Sequence, residues 1–171
     1  MKYPALILAG ICTSAFAQTT VTIPVPSQFA SAHTIFLASG SAPGYPNEKA
    51  IAAAVYTSVY QALAASGRYR LVPTPDGADL SMVVTLYGEM GHEEPTFLSL
   101  QIYDVKTHVL LWVLDEPIEA ATLLKTLVKN AQASANLFAK DLNTLASGKL
   151  PGDVPPPKPE TTKARLSQEG K

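Results

Sequence analysis

The chain has 171 residues with 13 basic and 14 acidic side chains, a formal net charge of −1, 47% hydrophobic residues and one cysteine. That is enough for one domain with its own core, and the charge is too even and too dispersed for a nucleic-acid surface. Disulfide scaffolds and thiolate metal sites need more cysteine than this.

The opening MKYPALILAGICTSAFAQ places Lys2 before a short apolar run, Ala5 to Ile11, and ends in an A-x-A pattern before Gln18. It predicts a secretory signal peptide, residues 1–17, cleaved after Ala17 for export to the periplasm or beyond. A lipoprotein signal would need a small residue directly before Cys12. Ile11 stands there instead, so a lipid anchor at Cys12 is disfavoured. Without Lys2, 12 basic residues face 14 acidic ones, a net charge of −2. No later run predicts a transmembrane helix in the mature chain.

Residues 18–32 carry Pro24 and Pro26 and predict an extended lead-in to a single domain over 33–148. HTIFLAS (33–39) predicts a strand and GSAPGYPNE a loop. Asn47 is the expected N-cap of a helix running to Ser66, with Ile51, Val55, Val59 and Leu63 as its apolar stripe and Gly67 as its stop. Strands follow at 68–74, 80–89 and 97–104. In the second, Leu80, Met82, Val84 and Leu86 share a face; in the third, Leu98, Leu100 and Ile102 do. HVLLWVLD (108–115) is apolar on both faces, which predicts a central strand ended by Pro117. Leu124, Leu127, Ala131, Ala135, Phe138, Leu142 and Leu145 predict a helix from about Ala120 to Ala146, stopped by Gly148. The proline-rich segment 149–171 has too few apolar residues to offset its ordering entropy and is expected to be a disordered tail. The sum is an α/β (α+β) two-layer fold: a mostly antiparallel sheet of four to five strands with two helices on one face.

Clusters of reactive residues read better as structure. DVKTH (104–108) suits a hairpin turn in which Asp104 accepts backbone hydrogen bonds, with Trp112 too far along the next strand to join it. His92, Glu93 and Glu94 offer metal-ligand atoms without the H-E-x-x-H spacing. The loop before Glu48 lacks the ending of a phosphate loop, and Ser39 and Ser41 lack a nucleophile-elbow context. Asp104 and Asp115 fall at opposite ends of adjacent strands. Neither catalytic residues nor a cofactor is expected.

Three phrases carry a resemblance. VYQALAASGRYRLV, GADLSMVVTLYGE and LSLQIYDVKTHVLLW resemble the helix-to-strand, Gly-Ala-Asp strand and Asp-x-Lys-Thr hairpin phrases of bacterial envelope domains. These include the TolB N-terminal domain, the periplasmic domain of the curli secretion lipoprotein, and small lipoproteins of unknown function. The resemblance spans residues 33–146. It implies a compact α/β layer and a non-catalytic role in binding or assembly with an envelope protein partner. The loops around Gly44, Tyr45, His92 and Lys106 are the expected interaction sites. The alternative is a periplasmic protein that binds a small ligand or a divalent metal through His92, Glu93 and Glu94.

Overall fold

The computed structural model describes residues 24–88, 96–119, 121 and 123–152. The predicted signal peptide, Cys12, the loop holding His92, Glu93 and Glu94, and the tail beyond Gly152 lie outside the described residues.

The element order is α1 (Gln28–Ser31), β1 (Thr34–Ser39), α2 (Glu48–Ser66), β2 (Arg70–Val72), β3 (Leu80–Tyr87), β4 (Thr96–Asp104), β5 (Leu110–Ile118) and α3 (Leu124–Ala146). The strands form one sheet in the order β2-β1-β3-β4-β5. The result is the expected two-layer α/β fold, with one difference in sense. β1 runs parallel to both β2 and β3, while β3–β4 and β4–β5 are antiparallel, so the sheet is mixed. The cause is α2. A strand that leaves the sheet through a long helix and returns beside itself comes back parallel.

Alternation decides what each strand buries. Ile35 and Leu37 of β1, Leu80, Met82, Val84 and Leu86 of β3, Leu98, Leu100 and Ile102 of β4, and Leu114 and Ile118 of β5 all enter one core. The α2 stripe of Ile51, Val55, Val59 and Leu63 meets them, as does the α3 stripe from Leu127 to Leu145. Burying each such large side chain contributes about 1.5–3 kcal/mol. No helix among the described residues is long and apolar enough to cross a membrane.

The helix ends differ from expectation in detail. Asn47 precedes α2 with φ 61°, and its side chain makes no capping bond. It serves by tolerating the left-handed conformation, while Glu48 Oε1 accepts from the Ala42 amide at 3.4 Å. Gly67 follows α2 in that same conformation, with φ 66°. α3 begins at Leu124, where its apolar period starts and later than the expected start near Ala120, and Gly148 (φ 72°) turns the chain while Lys149 N–H donates to the Thr144 carbonyl at 3.1 Å.

Two readings are corrected. β5 is an edge strand, paired with β4 alone, and Pro117 lies inside it. A proline lacks the donor that a central strand needs, so its position was the overlooked sign of an edge. The lead-in is also more than extended chain: residues 28–31 form α1, and Phe29 is fully buried in the common core. Its ring meets Trp112 edge-on at 6.4 Å.

Candidate functional site

Among the described residues, helices cover one side of the sheet. The helices pack on the face carrying Leu80, Leu100 and Leu114, and the opposite face retains large apolar side chains at the surface. Cross-strand rows place them: Tyr87 beside Phe97 beside Pro117, Val83 beside Gln101 beside Val113, and Tyr103 beside Leu110. Tyr87 is 43% exposed, Phe97 37%, Leu110 47% and Val113 40%. The Tyr103 hydroxyl donates to Gln101 Oε1 at 2.7 Å, so the polar groups there are partly used up within the face. Thr85 and Ser99 sit between the larger residues and are buried.

The candidate loops divide between the two ends of the sheet. Gly44 is exposed, with φ 83°, in the loop between β1 and α2. Tyr45 is buried, and its hydroxyl lies 3.2 Å from Thr96 Oγ1, so it ties that loop to the start of β4 instead of facing solvent. Lys106 is exposed at the tip of the β4–β5 turn, at the other end of β4, about 25 Å away along a strand of this length. Gly44 and Lys106 therefore do not belong to one site. Gly88 and Thr96, which flank the segment holding His92, lie at the Tyr45 end.

The DVKTH turn is built as its residues suggest. Asp104 Oδ1 accepts from the amides of Lys106 (2.7 Å) and Thr107 (3.1 Å), and the Asp104 carbonyl accepts from His108 N–H at 2.8 Å. His108 takes φ 58° and is exposed. The hydrogen bonds from Thr107 and Lys106 hold the Asp104 carboxyl below the usual range. Asp104 is thus committed to the turn. The Asp of the Gly-Ala-Asp phrase behaves similarly: Asp79 Oδ2 accepts from His33 N–H (2.8 Å) and Thr34 N–H (3.0 Å), which lower its pKa.

One feature had no signal in the sequence. Glu116 of β5 and Asp141 of α3 are 25 residues apart, yet their carboxyls meet. Burial, then the hydrogen bond and charge of Asp141, push the Glu116 carboxyl up to about 7. They line a cleft of about 420 Å³ with Trp112, Leu114, Leu150 and Pro151. Among the described residues, no three His, Cys, Asp or Glu side chains are grouped to hold a metal ion.

No family model matches the chain, and no curated protein matches it. Solved structures do resemble it. A putative lipoprotein from Caulobacter crescentus is 15% identical, covering 72% of this chain and 96% of that one, with a TM-score of 0.46. LpoB of E. coli is 14% identical over 68% of this chain and 82% of its own, with a TM-score of 0.39. A PelC dodecamer from Paraburkholderia phytofirmans is 14% identical over 68% and 89%, with a TM-score of 0.42. Each is a likeness of chain arrangement alone and says nothing of partner or activity.

Proposed function

We propose that the chain is a non-catalytic module of the bacterial envelope that binds a protein partner through the uncovered face of its sheet. The observation that carries the reading is one-sided burial. Tyr87, Phe97, Leu110 and Val113 stay at the surface on neighbouring strands, where a face with no partner would favour polar residues. The partner would present a largely apolar surface with a basic group to meet Asp115, which lies on this same face between Val113 and Pro117, opposite Ser99. The signal-peptide pattern supports an envelope location.

The test is a photo-crosslinking residue placed at Val113 of the full chain in cells, with a control label at Tyr60 on the helix side. An adduct with an envelope protein at Val113, absent at Tyr60 and lost on Phe97→Asp, is the expected result. Adducts of the chain with itself would replace the partner reading by self-assembly, and equal labelling from both positions would end it.

A further inference from the structure

β2 stops short of the end of β1. It pairs with Thr34, Ile35 and Phe36 and ends at Val72, where Pro73 and a 3-10 turn over Pro75–Gly77 lead the chain away. β1 continues to Ser39, paired there with β3 alone among the described residues. Alternate residues of a strand turn their backbone groups to opposite sides. The His33 carbonyl accepts from the Arg70 amide at 2.9 Å, and the Gly40 amide donates to the Val84 carbonyl at 2.7 Å. Leu37 and Ser39 therefore address the β2 side, as His33 does, and Gly40 the β3 side. Among the described residues, the Leu37 carbonyl and the Ser39 amide and carbonyl have no hydrogen-bond partner.

A groove of about 540 Å³ runs beside this open length, between β1 and α2. Lys49, Ala52, Ala53 and Tyr56 form its helical wall, spaced so that they share one face of α2. Ser39, Lys49 and Ala53 are exposed. Lys49 is the charged side chain of the lining and stands in the first turn of α2, where the helix dipole adds positive potential. Glu48 beside it is engaged at the Ala42 amide.

We propose that this groove binds the free C-terminus of a partner protein, an extended segment that adds to β1 in the parallel sense beyond Val72 and places its terminal carboxylate at Lys49. The three unpaired backbone groups set the pairing. A peptide residue opposite Ala38 donates its N–H to the Leu37 carbonyl and accepts from the Ser39 amide, and the amide two residues on reaches the Ser39 carbonyl. That is the pattern of β2 carried past its end. The sense follows from charge. A parallel segment finishes at the Ser39 end of β1, where Lys49 and the start of α2 favour a negative group; an antiparallel one would bring its amino end there. The small side chains of Ala52 and Ala53, with Tyr56 beside them, leave room for an apolar peptide side chain. Phe36 to Gly40 covers about 13 Å, room for roughly four residues of peptide. The site shares no residue with the row of Tyr87, Phe97 and Val113, so this reading and that of the open face stand or fall separately.

The test is an amide NMR titration of the full chain with two pools of N-acetylated hexapeptides, apolar at alternate positions and varied elsewhere, one pool with free C-termini and the other amidated. The free-acid pool is expected to move the Ser39 amide resonance downfield, to slow its exchange with solvent and to shift Ala53 with it. Amidating the peptides, or Lys49→Gln in the chain, is expected to weaken the response about tenfold, the loss of one charge-assisted hydrogen bond. Ser39→Pro removes a donor that the fold does not use, and is expected to abolish the Ala53 shift while leaving the resonances of β3 to β5 in place. No response at Ser39 and Ala53 overturns the proposal. Equal responses to the two pools overturn it too, since the terminal carboxylate would then play no part. A Ser39 amide already protected from exchange before peptide is added also overturns it, because the chain itself would then fill the groove.

Discussion

Asp79 and Thr34, 45 residues apart, are joined by four hydrogen bonds. The Asp79 carboxylate accepts from the Thr34 amide (3.0 Å) and hydroxyl (2.9 Å), and the Asp79 amide reaches both the Thr34 Oγ1 (2.9 Å) and the Thr34 carbonyl (3.0 Å). The pair pins the start of β1 to the start of β3. Asp79→Ala is expected to cost about 1 kcal/mol in urea unfolding at pH 7, a modest figure because the carboxylate is exposed and screened. Since its folded pKa is lowered, the contribution is present above the ordinary aspartate range and is lost as pH falls through the folded value. The stability gap between parent and Asp79→Asn should therefore narrow at low pH.

Glu116 is predicted to act in the opposite sense. Its carboxyl is raised from 4.5 to about 7, so between those values the folded chain holds a proton that the unfolded chain releases. Stability then falls as pH rises through that window, and none of this contribution remains above it. Glu116→Gln is expected to flatten the profile and to raise stability at pH 8 by about 1 kcal/mol, allowing for screening of a half-buried group. Melting temperatures across pH 4 to 8 check both statements.

Gly40 stands where β1 closes on β3. Its amide donates to the Val84 carbonyl at 2.7 Å, and a Cβ on it would sit 2.6 Å from that same oxygen and press on the Thr85 side chain. Gly40→Ala is expected to destabilise the fold by about 2 kcal/mol, read from the shift of the urea midpoint at unchanged slope.

Phe29 is fully buried although it lies on a helix of four residues. Phe29→Ala should cost about 3–4 kcal/mol and shift the emission of Trp112, whose ring it meets. A loss below 1 kcal/mol would mean that residues 24–32 are a detachable lead-in after all.

Much of this was legible in the chain because periodicity reports burial. The α2 and α3 stripes and the inward rows of β3 and β4 fall where alternation and the helical period put them. What escaped were relations between distant segments. Leu111, Trp112 and Leu114 look central by hydrophobicity alone, yet β5 is an edge whose apolar side chains meet α1 and α3 on one side and the open face on the other. Phe29 was invisible because four residues hold too little period to read, and Tyr45 because its turn-rich loop hides a side chain that points inward. Glu116 and Asp141 become a pair only once α3 packs along β5.

The mixed sheet also implies an order of assembly. β3, β4 and β5 are successive antiparallel neighbours, so their pairing closes short loops and can begin early. β1 gains both its partners only after α2 has crossed over, and the Asp79–Thr34 knot must close a loop of 45 residues. The meander is thus the natural nucleus, and the parallel half is the part expected to join late and to come loose first.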